Sequence, residues 1–155
     1  MSDSLYSVER EYPVTIDALW KAWVEASALE QWYSPTALRV LPGSVVSDTR
    51  VDGWWTVGVD VAEYGFVAYF FGKYSEVVEN SRLVHSLYYT QDAVEFAARD
   101  LAGEHHVIEI VFESRGESTW ARFAQFGVLP EGQAEQAQAG MESYFDNLGL
   151  FLSRT

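Results

Sequence analysis

The sequence predicts an α+β domain: a curved, seven-stranded antiparallel sheet around a long C-terminal helix, with two short helices between the first and second strands. Three observations lead there. Apolar residues recur at helical spacing in two short stretches after Val14, alternate with period two from Ala37 to Val128, and return to helical spacing beyond Pro130. At 155 residues, 48% of them apolar, the chain has the length of one domain and enough apolar material for one core. No linker, charge block or internal repeat divides residues 1–155, which are read as a single unit.

The first strand runs from Leu5 to Val14, where Tyr6, Val8, Arg10 and Tyr12 alternate with more polar neighbours; Pro13 near its end suits an edge position. Thr15 then precedes Ile16, Leu19, Trp20, Trp23 and Val24, with Asp17 in the first turn where the helix dipole favours an anion. That pattern is a short amphipathic helix. A second is expected after Ser27, with Glu30 completing a capping box and Leu29, Trp32 and Tyr33 following before Pro35 stops it. Six strands come next, separated by turn signals at Pro42-Gly43, Asp52-Gly53, Tyr64-Gly65, Asn80-Ser81, Ala102-Gly103 and Arg115-Gly116. The clearest are Trp54–Val61, Phe66–Val78, Arg82–Thr90, Glu104–Ser114 and Ser118–Val128. In the fourth of these, His106, Ile108, Ile110 and Phe112 share one face, and His105, Glu109 and Glu113 share the other. One side therefore meets a core and the other meets water. The segment Gln91 to Gly103 is long enough for a helical turn or a lid over one end of the sheet.

The final helix carries Ala134, Ala137, Met141, Tyr144, Phe145, Leu148, Phe151 and Leu152 at helical spacing. Its roughly 22 residues span about 33 Å, so it must lie across the sheet. Gly140 in its middle costs on the order of 1 kcal/mol against alanine, and marks either a close backbone approach or a hollow. One narrow apolar stripe does not fill the concave side of such a sheet. A cavity between sheet and helix is expected.

Composition sharpens that expectation. Six Trp, nine Tyr and nine Phe make 15% of the chain, so either the core is aromatic or something is enclosed. Asp plus Glu number 23 against 10 Lys plus Arg, a formal charge of -13, which makes nucleic acid a poor partner and disfavours an anionic membrane surface. The absence of cysteine excludes disulfides, thiolate metal sites, iron–sulfur clusters and cysteine nucleophiles. The start of the sequence has no signal-peptide pattern and no stretch approaches the roughly 18 apolar residues of a membrane span, so a cytoplasmic protein is expected.

The candidate ligand contacts come from the inward faces of these elements. Trp32 and Tyr33 end the second helix at a cavity mouth, though aromatics at that spacing serve a core equally well. Trp55 and Val57 are the inward choice against Trp54 and Thr56; Phe70 and Tyr74 share one face of the long strand and Tyr69 and Phe71 the other. Aromatics on both faces suggest that part of this strand is covered on its outer side, and a second subunit is one candidate cover; monomer and homodimer both stay open. His85, beside Leu87 and Tyr89, is either a polar anchor, an acid–base group or a satisfied core histidine. Phe96 enters from the Gln91–Gly103 segment, Ile108, Ile110, Phe112, Phe123 and Gln125 from the last two strands, and Met141, Tyr144, Phe145 and Leu148 from the helix. Glu76 and Arg50 are further polar groups placed near the cavity, each as easily on the surface. His105-His106 is not a metal pair, because neighbours on a strand point to opposite faces, and no metal or cofactor is expected. No phosphate loop, G-x-S-x-G, HExxH or dinucleotide fingerprint is present. The paired carboxylates Glu9/Glu11 and Glu109/Glu113 lie on solvent faces. Nothing assembles a nucleophile, a base and an oxyanion site.

Several strings resemble the START-like helix-grip superfamily (SRPBCC, Bet v 1-like), and within it the branch named for the activator of Hsp90 ATPase. They include Val8-Glu9-Arg10, Leu19-Trp20-Lys21-Ala22-Trp23, Leu29-Glu30-Gln31-Trp32-Tyr33-Ser34-Pro35, Asp48 through Trp55, Gly72-Lys73-Tyr74-Ser75-Glu76-Val77 and Gly140-Met141-Glu142 with Phe145-Asp146-Asn147-Leu148. The resemblance covers nearly the whole chain, and its order and spacing are the specific part. Three positions depart from the branch: Asp52 where glycine is usual, Met141 where tryptophan is usual, and Gln125 where histidine is frequent. The last two lie on cavity-facing elements. The resemblance implies binding of a hydrophobic, aromatic or polyketide-type small molecule; polyketide cyclase or hydrolase chemistry in the same cavity, and protein interaction of the Hsp90-activator kind, are the alternatives. Within the branch, Glu95-Phe96-Ala97-Ala98-Arg99-Asp100 before Gly103 is most similar to self-resistance proteins of enediyne (calicheamicin-type) antibiotic producers. That implies a binding or self-sacrificing protein more than a turnover enzyme, with Gly103 or Gly116 as the reactive glycine. Spacing does not choose between them.

Overall fold

The structure is a computed structural model, and it describes residues 3–154. Its elements are β1 (Tyr6–Tyr12), α1 (Ile16–Val24), α2 (Ala26–Trp32), β2 (Arg39–Val40), β3 (Val46–Ser47), β4 (Trp54–Val61), β5 (Phe66–Val78), β6 (Arg82–Thr90), α3 (Ala93–Ala98), β7 (His106–Arg115), β8 (Ser118–Phe126) and α4 (Gln133–Ser153). The strands form one antiparallel sheet in the order β1-β8-β7-β6-β5-β4-β2, with β3 also paired to β4. This is a meander whose first strand has been carried to the far side of its last, and the sheet curls around α4. The expected α+β helix-grip architecture is the one observed.

Local chemistry explains most boundaries. Thr15 caps α1 through its hydroxyl and the Ala18 amide. Asp52, Asn80 and the glycines at 43, 65, 103 and 116 all have positive φ, which is why the turn dipeptides fall where they do. Two details differ from expectation. The second helix starts at Ala26, with the carbonyl of Glu25 taking the first bonds, so Ser27 lies inside it and caps nothing. The stretch between α2 and β4 divides into the two-residue strands β2 and β3 instead of a single strand, because Leu41–Ser44 turns back on Gly58.

The aromatic outer face of β5 has an internal cover. Asp92 caps α3 through bonds from the Val94 and Glu95 amides, and Phe96 then stacks on Tyr69 at 4.5 Å and meets Phe71 at 6.2 Å. Phe71 also stacks on Tyr88, and Tyr88 on His105. The Gln91–Gly103 segment is therefore a clasp on the convex face, and the covering aromatic comes from this chain itself. Trp54, on the same face, lies under Lys73 and Arg99.

The core occupies only one end of the concave side. Trp20, Trp23, Trp32, Phe112, Phe145, Leu148 and Leu152 are buried together between α1, α2, the sheet and the second half of α4. Edge-to-face and stacked contacts bind Trp23 to Trp32 (4.8 Å), Phe112 (6.4 Å) and Phe123 (6.3 Å). The same half of α4 is pinned by Arg10, which pairs with Glu142 and Asp146, by Tyr12 donating to the Phe145 carbonyl, and by Asn147 donating to the carbonyls of Trp32 and Ser34. Its first half, Gln133 to Gly140, carries small and polar side chains and leaves the other end of the sheet uncovered.

Candidate functional site: a cavity between sheet and C-terminal helix

That uncovered end is a cavity of about 1340 Å³. The value is above the usual few hundred to about 1,000 Å³ of small-molecule sites. Its walls follow from strand alternation and from the thin side of α4. Trp55 on β4, Phe70 on β5, Leu87 and Tyr89 on β6, and Phe123 and Gln125 on β8 face it from the sheet. Tyr33 enters from the end of α2, and Ala137, Gly140, Met141 and Tyr144 from α4. A Cβ added at Gly140 would meet no atom within 4 Å, so this glycine borders a hollow and not a close approach. Gly103, Glu104, His105, Val128 and Pro130 form the rim; Val128 is 87% exposed.

Aromatic packing gives the wall a fixed shape. Tyr33 sits edge-on to Trp55 (5.5 Å) and Tyr144 (5.1 Å), Phe70 packs on Tyr89 (5.3 Å), and Tyr6 stacks on Phe123 (6.2 Å). Three polar side chains of the wall form one hydrogen-bonded chain. Tyr6 donates to Gln125 Oε1 at 2.6 Å, Gln125 Nε2 lies 2.6 Å from His106 Nδ1, and His106 Nε2 lies 3.1 Å from the Val128 carbonyl. Burial raises the phenols of Tyr6, Tyr33 and Tyr144 well above the ordinary tyrosine range, so all three stay protonated.

The sequence-selected residues separate into groups. Tyr33, Trp55, Phe70, Leu87, Tyr89, Phe123, Gln125, Met141 and Tyr144 line the cavity, and so does Gly103. Trp32, Phe112, Phe145 and Leu148 belong to the core at the other end, where Trp32 donates its indole N–H to the Ala22 carbonyl. Val57, Ile108 and Ile110 are buried in the sheet's inner face without reaching the wall. Tyr74 bonds Ser47, and burial pushes its phenol up to about 12. His85, 2% exposed, is sealed behind Trp55, which stacks on it at 4.2 Å; its Nδ1 lies 2.8 Å from the Ser86 carbonyl, and burial lowers its pKa to about 4. It is the satisfied core histidine of the three readings, neutral and off the cavity wall. Phe96 is on the convex face, as described. Glu76 pairs with Arg82 and Arg50 with Asp48, both outside the cavity. Gly116 caps the β7–β8 hairpin, about 30 Å along the strand from His106 at strand rise.

Sequence reasoning missed Tyr6, His106 and the rim of Gly127 to Pro130. Tyr6 was legible as an alternating strand residue, but its place on the wall depends on its pairing with Gln125, more than a hundred positions away. His106 was read as one of a strand pair facing opposite ways, and it does: His105 stacks outside on Tyr88 while His106 bonds inside to Gln125. Its ring lies against Gly127, where an added Cβ would fall 2.3 Å from Cδ2. The rim has no period to read. Among the described residues, no group of three or more metal-binding side chains is assembled, and no helix is long and apolar enough to cross a membrane.

A curled antiparallel sheet gripping a terminal helix, with a ring-lined hollow between them, defines a START-like helix-grip protein of a type suited to hydrophobic small molecules. The chain belongs to the family described as activator of Hsp90 ATPase homolog 1-like proteins, whose sequence profile matches residues 13–153. Solved structures agree on the fold. A Chromobacterium violaceum protein superposes with TM-score 0.79 at 17% identity, covering 95% of each chain. The AHSA1 protein of Silicibacter pomeroyi gives 0.79 at 19% identity over 96% of each chain. A Nitrosomonas europaea protein gives 0.77 at 18%, over 99% of this chain and 97% of that one. No curated protein matches the sequence.

Proposed function

We propose that this protein takes up an apolar, ring-bearing small molecule into the cavity between sheet and α4 and holds it away from water and other targets. The single observation that carries the reading is a hollow of about 1340 Å³ in a domain whose other half is densely packed with aromatics. A chain able to fill one end with Trp23, Trp32 and Phe145 leaves the other end lined by rings and backed by alanine and glycine. Trp55 is the one tryptophan of six on the cavity wall, so it is a built-in reporter. Titration with polycyclic and polyene natural products is expected to quench Trp55 fluorescence saturably and raise the melting temperature. Absence of both effects across aromatic and polyketide ligands overturns the reading.

The finer form is sequestration of an enediyne-type antibiotic for self-resistance. It is supported by the similarity of residues 95–100 and by the position of Gly103 on the cavity rim with φ 92°. A carbon radical formed on such a guest would take the hydrogen from Gly103 Cα: that C–H bond breaks, a C–H bond forms on the guest, and the unpaired electron stays on the Gly103 backbone. Protein labelled with Cα-deuterated glycine is expected to pass deuterium to the guest, and Gly103→Ala to abolish the transfer. Transfer that persists in Gly103→Ala removes this residue from the role.

A further inference from the structure

On the inner wall of the cavity some hydrogen-bonding groups are paired with one another and others are not. The Val128 carbonyl can only accept, so the ring proton of His106 sits on Nε2. In the neutral ring Nδ1 is then an acceptor and takes an N–H of Gln125 at 2.6 Å. The amide is thereby oriented with Oε1 toward Tyr6, whose hydroxyl donates to it at 2.6 Å. Three strands thus fix one amide, and one of its N–H bonds is still unused.

Tyr33 and Tyr144 are in the opposite condition. They pack edge to face at 5.1 Å, both line the cavity, and neither hydroxyl has a hydrogen-bond partner among the described residues. Tyr33 is only 4% exposed, and Tyr144 is partly buried. The phenols of Tyr6 and Tyr144 lie within electrostatic reach of each other, and Tyr33 of both, so these groups form one cluster. Neither hydroxyl is among the fully buried unpartnered polar atoms, so both are open to the cavity and free to donate to a guest. Among the described residues no Lys or Arg lines the cavity to favour an anion.

We propose that the inner part of the cavity recognises a neutral carbonyl oxygen carried on an apolar ring system, accepting from the hydroxyls of Tyr33 and Tyr144 with Gln125 positioned beside them by Tyr6 and His106. The proposal rests on the enclosure reading and adds the chemistry that orients the guest: oxygen inward, rings against Trp55 and Phe70, remainder toward the rim.

The test compares fluorene with 9-fluorenone, which share one three-ring skeleton and differ by a carbonyl, using calorimetric titration of the full chain. Fluorenone is expected to bind roughly tenfold more tightly, the value of one well-made hydrogen bond, and its carbonyl stretch to move to lower wavenumber in the complex. Tyr33→Phe with Tyr144→Phe is expected to bring the affinity ratio to about one and to reverse the vibrational shift. The singles each do part of this, which keeps the test available if the double variant folds poorly. Equal binding of the two probes by the native chain, or a preference that survives in the variants, overturns the carbonyl site and leaves enclosure standing. Failure of both probes to bind the native chain overturns the carbonyl site, whereas enclosure falls only if the wider set of aromatic and polyketide ligands fails as well.

Discussion

At the scale of single residues, the site is defined by which polar atoms are satisfied and which are not. His85 is satisfied by the Ser86 carbonyl and by stacking on Trp55, and it is held neutral by burial with a pKa near 4. In the unfolded chain an ordinary histidine titrates near 6.5. The unfolded state therefore binds the proton first as pH falls, so the contribution of His85 is fully present above about 6.5 and is lost between there and about 4. The loss is on the order of 3 kcal/mol at its acid end. Denaturation midpoints between pH 7 and 4 are expected to fall less steeply in His85→Gln than in the native chain. An unchanged slope would mean that His85 does not hold its neutral form through burial. The inward direction of Trp55 and the outward direction of Trp54 were legible from alternation alone. The burial of His85 behind Trp55 was not, because stacking across β4 and β6 is decided by the intervening β5 and the coil of the sheet.

At the scale of elements, α4 is two helices in function. Phe145, Leu148 and Leu152 bury its second half in the aromatic core, whereas the stretch from Gln133 to Gly140 offers glutamine, alanine and glycine to the hollow. The periodic stripe in the sequence predicted the helix and its length, and it extended the apolar face evenly over both halves. Side-chain size, not period, was the signal that mattered. Gly140 follows directly: its added Cβ would stand in open space, so Gly140→Ala is expected to stabilise the protein by up to about 1 kcal/mol through helix propensity, while a phenylalanine there should exclude ligand. Chemical denaturation and ligand titration of the two variants check both halves of the statement. The same lesson applies to α3, whose existence and cap the sequence suggested. On the convex face its Phe96 packs over Tyr69 and Phe71.

At the scale of the molecule, the formal charge of -13 and a hollow whose inner wall is apolar and aromatic, with Glu104 only at its rim, divide the work. The surface repels polyanions, and the interior selects by shape and rings. Binding to the folded state alone at a hundred times the dissociation constant adds about 2.7 kcal/mol. For a chain of this size that corresponds to a rise of roughly 5–10 °C in melting temperature, which sets the sensitivity a ligand screen requires.

By itself the sequence determined most of the elements, their order, the turn positions and the expectation of a hollow, because these rest on local periodicity, on residues that tolerate positive φ, and on the simple mismatch between a wide sheet and a narrow stripe. The tertiary structure alone decided which end of the concave face is hollow, which aromatics fill and which line, and which hydroxyls lack partners. Those depend on pairings such as Tyr6 with Gln125 and Trp32 with Ala22, and on where one helix crosses a curled sheet. No local pattern encodes that crossing; it is fixed only when Arg10, Tyr12 and Asn147 pin the helix in place.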